Sequence, residues 1–355
     1  MKSMMLGKKV FAVALSTVLA VSLLLLSGCG NTVSGVPAAG GKPQIIATVF
    51  ASYDFARQVA GDDADVKMLV PPGSETHSFE PTPQDIIALS GCDMFIYVGG
   101  ESDVWVEELL ASVNNSDMVV IKMIDCVNTV EEDVSILADP AMAEEGHEGH
   151  AHEEGGEGHE GEEAAHGGEE TQSAHEEEHG VIDEHVWTSL RNAAIIVQTI
   201  SDELCTIDAD NRLDYEKRTS EYCGKLTDLD NEIKTVVAEG QRSLLVFGDR
   251  FPFRYFIDDY ALECKAAFPG CSTATEASAL TVTNLVDTVR TEGIPVVLYR
   301  ELSDHKIADA IAAETGVVTM ELHSCHNITQ NDFDGGASYL SLMEKNAETL
   351  RAALA

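Results

Sequence analysis

The stretch DADNRLDYEKRTSEYCGKLTDLDNEIKTVVAE, Asp208–Glu239, decides how the rest of the chain is read. Its apolar residues include Leu213, Tyr222, Leu226, Leu229, Ile233 and Val237. They recur at helical spacing between charged residues, which predicts one amphipathic helix. About 30 residues of α-helix span roughly 45 Å. One layer of a small domain needs less, so a rigid connector between two lobes accounts for the length. A plain surface helix is the alternative these residues leave open.

On the N-terminal side of this helix, strands alternate with helices. Gln44–Thr48, Val66–Val70, Met94–Val98 and Met118–Lys122 read as strands, the second closed by Pro71-Pro72-Gly73. Ser52–Ala60, capped by Ser52, Pro83–Ser90 and Val104–Ala111 read as helices between them, and Ser189–Leu204 as a further helix. On the C-terminal side, Leu244–Phe247, Val296–Tyr299 and Val317–Leu322 read as strands. Phe253–Tyr260, Ala279–Thr291, His305–Thr315 (stopped by Gly316) and Tyr339–Leu354 read as helices. This alternation predicts parallel α/β units. The expected fold class is α/β, with an N-terminal lobe over 43–207, a connecting helix over 208–240 and a C-terminal lobe over 241–355. Strand ends of the two lobes then face a common cleft, where a ligand binds.

An acidic insertion, Glu144–Gly180, interrupts the first lobe. It holds seven of the chain's twelve histidines (His147, His150, His152, His159, His166, His175 and His179) among 14 glutamates, with no apolar residue larger than Ala. No packed core forms from that composition. Mobile imidazoles and carboxylates suit a weak, multivalent collector of divalent metal; a solubilising linker is the alternative. The formal net charge of −39 disfavours nucleic acid as a partner and attracts cations without selecting among them.

The chain begins with Lys2, Lys8 and Lys9, then the apolar run Val10–Leu26, then Ser27, Gly28 and Cys29. Residues 1–28 read as a secretory signal. The LSGC ending resembles a bacterial lipobox, which implies cleavage before Cys29 and lipid on that residue. Residues 29–42 would then be a tether, and the protein would sit on the outer face of the cytoplasmic membrane. Seven further cysteines, Cys92, Cys126, Cys205, Cys223, Cys264, Cys271 and Cys325, form no CxxC pair, so a thiolate zinc cluster is not expected. Cys264 with Cys271, Cys205 with Cys223, and Cys271 with Cys325 are the pairings the sequence leaves open.

Four segments place a metal-binding side chain at a strand end or a helix mouth. They are PPGSETHSFEPTP (Pro71–Pro83) with His77, DEHVWTS (Asp183–Ser189) with His185, VFGDRFPFRYF (Val246–Phe256) with Asp249, and MELHSCHN (Met320–Asn327) with His323. Three imidazoles and one carboxylate satisfy four-coordinate zinc. Each residue has a competing reading: a surface position for His77, a helix cap or core role for His185, a structural role for His323. Asp249 could form an Asx turn or pair with Arg250 or Arg254. Glu301, Glu321 and His326 are near enough to replace Asp249 or His323. His305 reads as a surface residue and Trp105 as lobe core. Glu80, Asp183, Glu184 and Glu301 are candidates to orient imidazoles.

With these residues the chain resembles the zinc/manganese receptor family of solute-binding lipoproteins of ABC transporters. The similarity covers Pro43–Ala355 and rests on His77, His185, the long connector and the closing YLSLM, Tyr339–Met343. It implies two pseudo-symmetric α/β lobes joined by one rigid helix, with the metal between them. It implies Zn2+ as the transported ligand, with Mn2+ or iron as the alternative, an ABC permease and its ATPase as partners, a monomeric chain and no catalysis. Zinc-selective members resemble this chain further in carrying a His/acid-rich loop. The family usually has a third histidine where this chain has Asp249 and a carboxylate where it has His323; the two departures leave the donor count unchanged. On this set, His323→Ala is expected to weaken the tight site much more than His326→Ala. A zinc-dependent hydrolase is the enzymatic alternative, and it requires a coordination position left open for water.

Overall fold

A computed structural model describes residues 41–74, 79–100, 103–139, 181–270 and 277–355. The signal segment with Cys29, His77, the acidic insertion with its seven histidines, and Cys271 lie outside the described residues. Lys42–Ala355 forms one compact unit. Among the described residues no helix is long and apolar enough to cross a membrane.

The first sheet is built from β1 (Gln44–Ala47), α1 (Phe50–Ala60), β2 (Asp65–Met68), α2 (Pro83–Ser90), β3 (Met94–Tyr97), α3 (Val104–Ser112) and β4 (Val119–Lys122). Its four strands are parallel, in the order β2-β1-β3-β4. Period-two alternation divides the strand residues between two apolar layers. Ile45, Ala47, Met94 and Ile96 enter the main core, while Ile46, Phe95 and Tyr97 enter a second cluster with Leu89, Val106 and Leu109. Both faces are covered, as a parallel sheet requires. Trp105 packs on Phe79 at the edge of that second cluster, 5.3 Å between ring centroids.

Then come α4 (Leu190–Ile207), capped by Ser189, and the long α5 (Arg212–Glu239). The 28 residues of α5 span about 42 Å. Its buried stripe is Tyr215, Thr219, Tyr222, Leu226, Leu229, Ile233 and Val236, at spacings of three and four. Leu213, expected on that stripe, is 79% exposed, because it lies two residues before Tyr215 and so off the three-four spacing.

The second sheet repeats the plan of the first. Its elements are β5 (Leu244–Phe251), α6 (Arg254–Tyr260), β6 (Glu263–Pro269), α7 (Ala279–Glu292), β7 (Val296–Tyr299), α8 (Lys306–Thr315) and β8 (Val318–Glu321), with parallel strand order β6-β5-β7-β8. The short α9 (Gln330–Asp334) and the closing α10 (Tyr339–Ala353) follow. In each sheet the strand order reverses between the first and third strands, which opens a crevice at their carboxyl ends. The two lobes and the connecting helix are therefore present as the sequence implied.

Some details differ from the sequence reading. The first helix begins at Phe50, and Ser52 lies inside it, donating to the Val49 carbonyl rather than capping. Strand β6 was not expected; its ECKAAFP sequence carries small residues and flanking charge in place of a β-branched run. Cys205 and Cys223 are free thiols, turned to the carbonyls of Arg212 and Ala194.

The stretch leading into the acidic insertion lies on the second lobe. The Ala138 N–H donates to the Ala266 carbonyl of β6, Asn284 donates to the Ala138 carbonyl, and Asp133 pairs with Arg254. Glu131 bridges Ile182 in antiparallel fashion where the chain returns. The residues on both sides of the insertion thus lie along the flank of the second lobe, although their sequence position falls before the connector.

Candidate metal centre

His185 is the best-prepared donor in the cleft. It is buried at the start of the short turn Val186–Thr188 that leads into α4. Asp183 Oδ1 accepts the His185 backbone N–H at 2.8 Å and lies 3.1 Å from Nδ1 of the same ring. A carboxylate only accepts, so the ring proton sits on Nδ1 and Nε2 keeps its lone pair. That is the arrangement a metal-binding imidazole needs. Asp183 is itself held, its N–H by the Val130 carbonyl and its carbonyl by the Tyr255 hydroxyl. Burial pushes the His185 imidazole down, but Asp183, Glu184 and Glu132 outweigh it and leave its pKa above the ordinary value.

The side chain that meets His185 is His326. The two rings lie edge to face, 5.6 Å between centroids and 85° between planes. Zinc–nitrogen bonds of about 2.0–2.1 Å put ring centres about 3.2 Å from the ion, and tetrahedral geometry then separates them by about 5.2 Å. The observed spacing is close to that. Trp187 backs both rings at 5.5 and 5.2 Å. His185 and His326, with Ser74, Gly270, Glu301 and Asn327 among their neighbours, line a cavity of about 20 Å³. This has room for one water-sized species. Gly270 makes that closeness possible: a Cβ there would stand 2.9 Å from the Phe251 carbonyl and 3.2 Å from the His185 ring. A far larger hollow, about 900 Å³, lies on the second lobe between Arg242, Glu263 and Asp287. It holds charges of both signs and no imidazole, so the small cavity carries the chemistry.

The MELHSCHN segment forms a turn that joins the lobes. Cys325 adopts a left-handed backbone, φ +60°. On the second lobe, Glu301 accepts from Ser324 N–H at 2.7 Å, the Ser324 hydroxyl at 2.5 Å and His326 N–H at 3.2 Å. On the first lobe, Phe50 N–H donates to the His326 carbonyl at 3.0 Å. Asn327 spans the cleft by donating to the Pro71 and Ser74 carbonyls at 3.0 and 2.6 Å. The Trp187 indole N–H donates to the Ser324 carbonyl at 2.8 Å. Burial pushes the Glu301 carboxyl up, yet the Ser324 hydrogen bonds and Arg300 hold it below its ordinary value.

Of the other expected donors, the described ones, His323 and Asp249, do not join His185 in a group of three or more metal-binding side chains. His323 is buried, but its Nδ1 accepts the Cys325 backbone N–H at 2.9 Å, while Asn346 brackets its main chain. A backbone N–H only donates, so Nδ1 is bare and the ring proton is on Nε2. Neither nitrogen then has a lone pair to offer an ion. Asp249 turns to Arg300: its Oδ2 accepts the Arg300 backbone N–H at 3.3 Å, and the Arg300 Nε lies 3.8 Å from Oδ1. The register of β5 against β6 shifts between Phe247 and Arg250, so simple alternation does not aim Asp249 at the cleft. Asp249 lines a separate hollow with His305 and Lys306. His305 is half exposed and paired with Asp309; Glu80 and Glu321 are exposed. Among the described residues, no group of three or more His, Cys, Asp or Glu is placed to hold an ion together, and His77 is outside them. Sequence reading ranked His326 below His323. The HxxH spacing within HSCHN was the available signal, but it does not say which imidazole faces the cleft.

The sequence profile of the zinc-uptake complex component A, periplasmic, matches residues 45–353. A high-affinity zinc uptake system protein of Bacillus subtilis is 28% identical over 339 residues, covering 95% of this chain and 96% of that protein. A zinc-binding lipoprotein of Streptococcus pneumoniae is 29% identical over 340 residues; the match covers 93% of this chain but 60% of the relative. The Zn(II)-bound crystal structure of that lipoprotein's homologous domain superposes with a TM-score of 0.66 at 25% identity, covering 88% of this chain and 99% of the domain.

Proposed function

This chain belongs to the family of the periplasmic component A of zinc-uptake complexes, and from that premise we propose how it holds its ion. It is an extracytoplasmic zinc-binding receptor of an ABC importer: it binds and delivers, and makes or breaks no covalent bond. Zn2+ is therefore its substrate. We assign the ion to Nε2 of His185 and the imidazole of His326, with His77 as the third donor on sequence grounds. The observation that carries this assignment is the 5.6 Å edge-to-face pair in which the His185 Nδ1 is already engaged by Asp183. His323 and Asp249, the other expected donors, become supports of the turn and of Arg300. Imidazole-rich coordination favours zinc over manganese, which prefers oxygen donors. The buried carboxylates Asp183, Glu184 and Glu301 supply negative charge around the ion without being its donors.

A permease and an ATPase are the partners that family membership implies. Lipid attachment at Cys29 follows from the Lys-rich start, the Val10–Leu26 run and LSGC. From its composition, the acidic insertion would act as a weak collector of divalent metal.

Titration of the mature chain against a chromophoric zinc chelator tests the assignment. One tight zinc per chain is expected. His185→Ala or His326→Ala should each remove it from the tight range; unchanged tight binding in either variant would sink the site.

A further inference from the structure

We infer that Glu301 is a positioning residue for zinc capture: it holds the Ser324–His326 turn so that His326 can meet the ion. The inference rests on the reading of His326 as a ligand. Glu301 follows β7 and is 2% exposed. Its two oxygens take three donors from a single turn: Ser324 N–H on Oε2, and the Ser324 hydroxyl and His326 N–H on Oε1. Donors from residues 324 and 326 on one carboxylate fix the turn as a unit.

The turn needs such fixing. Cys325 carries a side chain in the left-handed region, a conformation that persists only where its surroundings over-determine it. Glu301 supplies that constraint from the second lobe, and the Trp187 and Phe50 N–H groups grip the flanking carbonyls. A carboxamide could not replace the carboxylate here. With one acceptor oxygen and an NH2 group, it would set donors against donors. The carboxylate also lines the same small cavity as both imidazoles, so its fixed charge favours a cation there.

A double-mutant cycle on the mature chain tests this, read by zinc competition and by the visible absorption of Co2+ in the same site. Glu301→Gln is expected to weaken zinc by about 10–100-fold, the range for outer partners of metal ligands. It should also move the Co2+ spectrum towards that of His326→Ala. Combined with His326→Ala, it should add little, because the two changes remove one function. Glu301→Asp, which keeps the charge, should retain more affinity than Glu301→Gln. A wild-type spectrum and affinity in Glu301→Gln, or a loss fully additive with His326→Ala, would overturn the positioning role. Wild-type affinity in His326→Ala alone would instead overturn the ligand assignment. Should Glu301→Gln fail to fold, as read by the circular dichroism of the apo form, Ser324→Ala removes one of the three bonds and runs through the same cycle. There, additive loss or no loss likewise overturns the role.

Discussion

His185 and His323 are both buried, both lie beside carboxylates and both begin short turns, yet the fold uses their rings in opposite senses. At Asp183–Ser189, a side-chain carboxylate takes the Nδ1 proton and leaves Nε2 bare. At Met320–Asn327, a backbone N–H points at the His323 Nδ1 and forces the proton onto Nε2. The first ring can accept a cation; the second completes a backbone network. Three residues further on, His326 carries the imidazole that faces His185. Which nitrogen of a buried histidine keeps a lone pair is thus set by the hydrogen-bonding partner of the other, which residue type and spacing do not reveal.

The largest expected effect tests that contrast directly. His326→Ala should weaken zinc by more than about 100-fold, beyond the range for outer-sphere partners. His323→Ala should weaken it by less than that range while lowering thermal stability. The lost Nδ1 leaves the buried Cys325 N–H without its acceptor, at about 1–3 kcal/mol. This ordering is the reverse of the one the sequence suggested. Paired zinc titrations and melting curves of the apo variants decide it, and a greater affinity loss for His323→Ala would break the comparison.

An intermediate effect comes from Asp183. Asp183→Asn should weaken zinc by about 10–100-fold, because the ring loses its orienting acceptor. The pH response has a definite sign. With its pKa raised, despite burial, by Asp183, Glu184 and Glu132, His185 holds its proton to higher pH than an ordinary imidazole. Zinc affinity should therefore fall as pH drops through that raised value. The protonated ring stabilises the apo fold fully below the unfolded-state pKa, and that contribution is lost as pH rises through the folded-state value. Acidification across this window should thus raise apo stability while lowering zinc affinity. Asp183→Asn should move the affinity profile to lower pH; a profile that stays in place would mean that another group governs it.

Much of this was legible in the sequence. Pro83 behind Thr82, with Asp85 to complete a capping box, marks α2, and Gly316 at φ +80° ends α8. The three-four spacing from Tyr215 onward marks the connector. The setting of His185 was legible too, because Asp183 two residues before it makes the turn and the tautomer locally. The fourth segment was not. Its geometry depends on Glu301 and Asn346, more than 20 residues away on either side, and on Trp187, Phe50 and the Pro71–Ser74 turn from elsewhere in the chain. Local sequence offers two imidazoles three residues apart, and only these distant partners choose between them. The contact of Asp249 with Arg300 was not legible for a related reason: a register shift in β5 changes which way a residue faces, and no residue type announces it.

The smallest expected effect sets the ordered imidazoles against the seven in the acidic insertion. Both sets are histidines among carboxylates; His185 and His326 line one small cavity with their partners fixed. The insertion's flanks are tied down independently of it. Ser278 donates to Asp139 at 2.9 Å on one side, and Glu132 N–H donates to the Val181 carbonyl at 2.8 Å on the other. Deleting Glu144–Gly180 should therefore leave the Glu131–Ile182 bridge and the His185 turn as they are. Tight zinc should keep its stoichiometry, and its Kd should change by less than about threefold, within the few tenths of a kcal/mol usual for surface changes. The weaker ions should disappear from the titration. Loss of clustered negative charge should also slow zinc capture at low ionic strength and leave it little changed at high salt, where screening already removes the attraction. If the deletion instead abolished tight binding, the insertion's histidines would be donors to the same ion, and the distinction between the two sets would fail.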